Sequence, residues 1–281
     1  MQSELEDAYF GEKIGTKKLY QISAQQFQLE CLSTNLSAGD STGLRTYSGS
    51  HVQVRLAASF PHLLDGKNVV ELGCGVGVFG LVGTQFSSPA LLVLTDGEPR
   101  GSSIVEKNIK YIAGERVDSN VPMFYRQLRW GDSEATNKVL TLCSKSSKIS
   151  TAYDIVLGCE LMYFNTDVAL LVQTVLSLTH SQGLFIHGHL FRGHLQEQQL
   201  IDTLAQHQWS TLEVPHKEFI SAEELGHHVE WYRVRPLISG PDAVIAQLAL
   251  EHPTWRVFQE EIVYEDEETE GADDTAINIF R

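Results

Sequence analysis

Glu71, Gly73, Gly75, Gly77 and Asp96 are the residues of this chain whose types and spacing suit joint chemistry. Residues 69–80 read Val-Val-Glu-Leu-Gly-Cys-Gly-Val-Gly-Val-Phe-Gly. A short apolar run ends in an acid, and glycines then alternate with small residues. That is the pattern of a buried parallel strand turning into a helix across a loop whose backbone a ligand can approach closely. The free N–H groups of the helix N-terminus lie behind it. A second apolar run, Leu91-Leu92-Val93-Leu94-Thr95, ends in Asp96. A carboxylate at the tip of a neighbouring strand suits a ribose diol. The two together imply a nucleotide-like cofactor, faced by Glu71, Gly73, Cys74, Gly75, Gly77, Asp96 and Gly97.

Two cofactor classes fit the glycines. Gly75-x-Gly77-x-x-Gly80 matches the dinucleotide fingerprint, with Asp96 about 20 residues on. Glu71-Leu-Gly73-Cys-Gly75-Val-Gly77 matches the E/D-x-G-x-G-x-G loop of S-adenosylmethionine (SAM) enzymes. Glu71 discriminates between them. A strand-end carboxylate repels a pyrophosphate, whereas SAM has no phosphate and carries a sulfonium and an ammonium. SAM is therefore the expected cofactor, with S-adenosylhomocysteine (SAH) as its product. An ordinary strand-turn-helix is disfavoured, because alternating glycines weaken a turn that binds nothing.

The 281 residues and 42% apolar content suffice for one large α/β domain with additions. No run of about 18 apolar residues suggests a membrane span, and the acidic start lacks a secretory signature. Cys31, Cys74, Cys143 and Cys159 form no CxxC pair, so they read as reduced thiols of a cytoplasmic or nuclear protein. The formal charge of −15 is concentrated in a run from Glu260 to Asp274. Such a run is a solvated segment or attracts a basic partner, and it argues against a phosphate backbone as ligand.

The elements that must hold these residues alternate. Residues 1–42 form an N-terminal extension, with a small hairpin from 19–22 and 27–32. Residues 43–281 form the main domain. A helix over 51–63 carries Val52, Leu56, Ser59, Phe60 and Leu63 at helical spacing, with Pro61 interrupting near its end. Strands follow at 68–72, 91–95, 121–128, 154–159 and 183–188. Helices follow at 77–86, 101–113, 166–180 and 193–207, and the polar stretch 133–150 includes a short one. The alternation predicts a Rossmann-like, mostly parallel seven-stranded sheet with helices on both faces. Trp209–Val214, Val229–Val234, Arg256–Tyr264 and Ile277–Phe280 are strand-like, and Pro241 and His252-Pro253 bound a helix at 241–250. Two of these strands are expected as an antiparallel edge hairpin. The rest forms an insertion within about 209–255 and an acidic loop over 260–274.

Further chemistry follows at the strand ends. Leu128-Arg-Trp130-Gly-Asp132 comes after the third strand, where an indole packs against an adenine and a carboxylate accepts from its amino group. Taken alone, the same residues also read as a packing tryptophan before a helix cap. The fourth strand ends in Cys159-Glu160-Leu-Met-Tyr163. Ligand crevices lie beyond strand carboxyl ends, so Glu160 and Tyr163 are expected to point at substrate rather than core. The alternative is an acid at a helix N-terminus beside a packing tyrosine.

Together these pieces resemble a seven-β-strand methyltransferase of family 16, the group that includes protein-lysine and protein-histidine methyltransferases. The matching segments are Gly43-Leu-Arg-Thr-Tyr47, the Glu71–Gly80 loop, Thr95-Asp96, Trp130-Gly-Asp132 and Asp154–Tyr163, in family order over roughly 43–190. The resemblance implies SAM binding by Glu71, Gly73, Gly75, Asp96 and Trp130, with Tyr47, Cys74, Gly77, Gly97 and Cys159 around it. It also implies placement of the substrate nitrogen by Glu160 and Tyr163. The chain departs from the pattern twice. Tyr47-Ser48 stands where many members carry Trp followed by an acid. Glu160 stands where Asp is commoner, and it reaches one methylene further.

The resemblance implies methyl transfer to a protein side chain, with lysine expected because lysine specificity is commoner in the family. Methyl transfer from a sulfonium is an in-line displacement, in which positioning contributes most. A lysine, with a pKa of about 10.4, must first lose its proton, whereas an imidazole near 6.5 is already largely neutral. Protein-histidine methylation is the alternative. A small-molecule or RNA methyltransferase and a non-catalytic SAM-fold module are alternatives of other classes. His187-Gly-His189, His194 and His227-His228 suggest a divalent ion, but no Cys or Asp/Glu completes a recognisable spacing, and no metal site is assigned. The first three, with Arg192, are expected on the crevice side, lining the substrate groove. The expected partner is a protein with a basic surface, without membrane or nucleic acid, and a monomer is expected.

Overall fold

The computed structural model describes residues 8–9, 12–22, 25–32, 47–115, 121–146, 151–162, 166–191 and 194–258. Three strands come first: β1 (Ala8–Tyr9), β2 (Glu12–Ile22) and β3 (Gln25–Leu32), in an antiparallel sheet of order β1-β2-β3. Leu29 of β3 is buried in the main core and β3 packs on α2 (Ser102–Glu115), which joins this small sheet to the rest.

The main sheet is built from β4 (Asn68–Leu72), β5 (Leu91–Asp96), β6 (Met123–Gln127), β7 (Tyr153–Cys159), β8 (Thr179–Leu190), β9 (Trp209–Glu213), β10 (Val234–Pro241) and β11 (Arg256–Val257). Its order is β11-β9-β10-β8-β7-β4-β5-β6. The pairs among β4–β8 are parallel, and β10 runs antiparallel to both β8 and β9. The helices are α1 (Ser48–Ser59), α2, α3 (Ser133–Ser146), α4 (Val168–Leu178), α5 (His194–Ala205), α6 (Ala222–His227) and α7 (Asp242–Glu251).

Every residue of β4 is buried, as a strand covered on both faces requires. Successive side chains point to opposite faces, so the sheet divides the core in two. Val69, Leu92, Leu94, Ile155 and Ile186 pack with α1, α2 and α7, while Val70, Leu72, Val93, Val156 and Phe185 pack with α3, α4 and α5. The chain leaves β4 outward to β5 and β6 and returns on the other side as β7. That reversal puts a topological switch point between the carboxyl ends of β4 and β7, the place where open α/β sheets bind ligands.

Several expectations need adjustment. The sheet has eight strands because the two-residue β11 extends the β9 edge. Val229–Arg233 is a 3₁₀ turn, and the strand begins at Val234. Pro236 and Gly240-Pro241 hide β10 in the sequence, since neither residue type favours a strand interior. The helix after the glycines is a π-turn over Val78–Val82 followed by a 3₁₀ turn over Thr84–Phe86. Between β9 and β10, residues 214–233 pack on α1 through Ile220, Leu225 and Trp231 against Val52. The Arg55 guanidinium lies 4.3 Å over the Trp231 ring and pairs with Glu224. The acidic run and the strand-like 277–280 lie outside the described residues. Among the described residues no helix is long and apolar enough to cross a membrane.

Candidate active site

The loop after β4 turns on glycines. Gly73, Gly75 and Gly77 have φ of 58°, 54° and 86°, the left-handed region in which a Cβ is costly. The turn is tied from several directions. Cys74 N–H donates to Thr95 O at 2.9 Å, Thr95 Oγ1 to Glu71 O at 2.7 Å, and Asn108 Nδ2 to Val76 O at 2.9 Å. A Cβ at Gly73 would lie 3.7 Å from Trp130 Cζ2 and 2.6 Å from Leu161 Cδ2, so the half-buried indole stands beside bare loop backbone.

Glu71 is the penultimate residue of β4 and is 2% exposed. Its Oε2 accepts the Gly80 N–H at 2.9 Å, so the carboxyl faces the π-turn beneath the loop. Burial pushes its pKa up to about 8. The Gly80 N–H works against that rise, and the Asp96 charge adds to it. A group expected to meet the cofactor as an open carboxylate thus also fixes the loop from below.

Asp96 ends β5, half-buried. Its Oδ2 accepts Gly75 N–H and its Oδ1 accepts Glu98 N–H, both at 2.8 Å. Burial raises its pKa against the pull of these N–H donors. The Gly97 N–H also acts on this carboxylate, which with four acceptor positions keeps room for a further donor. Glu98, half-buried like Gly97 before it, brings a second acid to the same strand end. It lies only two residues beyond Asp96, but nothing in Asp-Gly-Glu alone marks the second acid as part of the strand end. Asp132 caps α3, with its Oδ1 accepting Ala135 N–H at 2.9 Å, as the helix-cap alternative expects.

Cys159 and Glu160 stand at the end of β7, across the switch point. Cys159 is buried and accepts a hydrogen bond from Ser50 Oγ of α1 at 3.6 Å. Its thiol pKa is pushed well up by burial first and the Glu160 charge second, and that of Cys74 by burial and then Asp96. Glu160 has φ of 54°, a conformation that costs a non-glycine residue energy and tends to occur at functional sites. Its carboxylate does not stand open in the crevice. It is 4% exposed, and both oxygens accept the Leu190 N–H at 3.2 Å. Tyr47 immediately precedes α1, half-buried, with its carbonyl accepting Ser50 N–H at 3.1 Å. Tyr163 lies outside the described residues.

The histidine expectation is corrected. His187 and His189 do not line a groove: β8 runs on to Leu190, so both are interior strand positions, 3% and 4% exposed. His187 Nε2 meets Ser239 Oγ at 2.9 Å, and that oxygen meets Thr211 Oγ1 at 2.7 Å, a polar line across three strands. His189 Nε2 lies 3.6 Å from Glu197 of α5. Arg192 and the His194 side chain lie outside the description, and among the described residues no group of His, Cys, Asp and Glu gathers as a metal site.

The chain matches the family model described as lysine methyltransferase over residues 41–207. It is 30% identical over 131 residues to the protein named EEF1A lysine methyltransferase 3 of Xenopus tropicalis, covering 46% of this chain and 50% of that one. The chain thus spans about half the length of this curated relative. Among solved structures, one assigned as a SAM-dependent methyltransferase from Streptococcus mutans has a TM-score of 0.50 at 13% identity, covering 82% of this chain and 57% of that chain. The SMU.776 structure, a methyltransferase complexed with SAH, gives the same values. At that identity the likeness speaks to the fold, which is the mixed α/β Rossmann-like methyltransferase fold. The family match spans more than half of the residues and contains both strand-end sites, and the chain belongs to the lysine methyltransferase family.

Proposed function

We propose that this chain is a SAM-dependent methyltransferase acting on a lysine side chain of a protein. The observation that carries this reading is Glu160. It is held in a left-handed conformation at the end of β7, across the switch point from a left-handed glycine loop backed by Glu71 and Asp96. The donor set fits SAM. A dinucleotide would bring phosphates to the strand end that Asp96 and Glu98 occupy, whereas SAM brings positive charge and no phosphate. When bound, SAM supplies an electrophilic methyl group.

The chain's own residues do the rest. Gly73, Gly75 and Gly77 let the cofactor approach the loop backbone. The acceptor room that Asp96 keeps takes a ribose hydroxyl, and the Trp130 indole offers a face to the adenine. Tyr47, Cys74, Gly97 and Cys159 border the same space. Glu160, with Tyr163, aims the substrate nitrogen. A carboxylate alone would hold a lysine protonated, but the site around Glu160 is shielded from water, and desolvation favours the neutral amine that attacks. The family description and the named relative support lysine over histidine. The acidic composition suits a protein partner with a basic surface, and cysteines without CxxC spacing suit a cytoplasmic or nuclear setting.

The test is transfer of radiolabelled methyl from SAM into a lysate of cells lacking this protein, with amino-acid analysis of the labelled band. A discrete band containing methyl-lysine is expected, and its loss in Glu160→Ala, with SAM affinity retained. Methyl-histidine would overturn the choice of nucleophile. No labelled protein would overturn the substrate class and turn attention to metabolites and RNA.

A further inference from the structure

Gly49 lies in the first turn of α1, and the space a Cβ would occupy there is filled by Glu160. An ideal Cβ at Gly49 would sit 3.0 Å from the Glu160 carboxyl carbon and 3.0 Å from Cys159 Sγ, with Glu160 Oε1 closer still. Real Cβ atoms essentially never come so close, so something would have to move. Glu160 has little room to retreat. Its own N–H donates to Gly188 O at 2.8 Å, and its carboxylate is held by the Leu190 N–H. The helix is fixed as well, because Val52, Val54 and Leu56 of α1 are each at most 1% exposed.

The backbone at Glu160 is a second observation. At φ of 54° aspartate is tolerated more readily than glutamate, so local preference alone favours the shorter acid. The extra methylene of Glu160 carries the carboxylate under α1, and that reach is usable only because residue 49 has no side chain.

We propose that Gly49 is a positioning residue of the site, matched in size to Glu160, and that the pair sets how deeply the Glu160 carboxylate is recessed beneath α1. This rests on the reading of Glu160 as the group that aims the substrate nitrogen. A carboxylate recessed beneath a helix suits the slender four-carbon stem of a lysine, with its nitrogen at the tip. An imidazole is wider and carries its nitrogens nearer the backbone.

The test is a double-mutant cycle of the full chain: wild type, Gly49→Ala, Glu160→Asp and Gly49→Ala/Glu160→Asp. Three quantities are read: urea midpoint, SAM affinity by calorimetry, and methyl transfer into the lysate. Gly49→Ala alone is expected to lower the midpoint and to reduce transfer by about tenfold or more, since small misplacements are costly to an in-line reaction. SAM affinity is expected to stay within about twofold of wild type, as for a site outside the contact. In the Glu160→Asp background the same alanine still meets Cys159 Sγ but no longer the carboxylate, and it is expected to cost clearly less in midpoint and transfer. Should Gly49→Ala alone fail to fold, a folded and transferring double variant supports the match. Equal costs in both backgrounds, or no cost in either, overturn it. If Glu160→Ala transfers methyl as well as wild type, the reading of Glu160 falls and the positioning role with it. A coupled midpoint would then report a packing contact only.

Discussion

The Glu71 carboxyl accepts the backbone N–H of Gly80 at 2.9 Å, joining the end of β4 to the π-turn that follows the glycine loop. A Cβ at Gly80 would meet Glu71 Oε2 and lie 2.6 Å from Leu94 Cδ2. Gly80→Ala is therefore expected to destabilise the protein by about 1–3 kcal/mol, the usual cost of overpacking a core. Urea denaturation measures it. An unchanged midpoint would mean that the turn relaxes without loss.

Glu71 also ties stability to pH. Its pKa rises from 4.5 to about 8 on folding, so the native state holds the proton more tightly than the unfolded chain. Its contribution is complete below about pH 4.5 and is lost as pH rises through about 8. Asp96 shifts in the same direction. Unfolding free energy without cofactor is expected to decline across this window by on the order of a few kcal/mol, and less in Glu71→Gln. Parallel pH profiles for wild type and Glu71→Gln would refute the assignment.

On the acid side His187, the most deeply buried of three histidines whose pKa burial lowers, is expected to contribute most. Burial holds its pKa well below 6.5, with the nearby His189 adding to the effect. The unfolded chain binds that proton more readily, so the contribution is present above about pH 6.5 and is lost as pH falls through the folded-state value. His187→Gln, which keeps a donor for the Ser239 and Thr211 line, is expected to flatten the acid limb in thermal melts. An equally steep limb would place the acid sensitivity elsewhere.

Asp96 holds the loop and, in the proposed reading, the ribose. Asp96→Asn leaves one oxygen where backbone N–H groups and the ribose compete. SAM affinity by calorimetry is expected to fall at least about tenfold, in keeping with hydrogen bonds to a charged group. Asp96→Ala is expected to lose both SAM affinity and some stability, because the Gly75 and Glu98 N–H groups lose their acceptor. Undiminished affinity in Asp96→Asn would remove the ribose assignment.

Much of this was legible in the sequence because the strands that carry the site are covered on both faces and read as unbroken apolar runs. Val69-Val70 and Leu91–Leu94 are such runs, all buried, and they lead directly to Glu71 and to Thr95-Asp96. Strand β10 was less legible, because its Pro236 and Gly240 contradict its place between two strands. Its neighbours on both sides, β8 and β9, hold it there. The histidines at 187 and 189 look like a strand-end cluster only if β8 is cut short. They become interior once the strand extends to Leu190.

Local residue types and spacing were enough for the alternation of strand and helix, the glycine loop and the two acids at neighbouring strand ends. Tertiary structure alone decided which way the acids face. Whether Glu71 opens to the crevice or turns to the Gly80 N–H depends on the packing of the π-turn. Whether Glu160 stands free or lies beneath a helix depends on Gly49, which is 111 positions earlier in the chain and is brought to it only when α1 closes over β7 and β8. A contact between residues so far apart leaves no trace in local spacing, because it is set by helix packing on the sheet rather than by either residue's own preference.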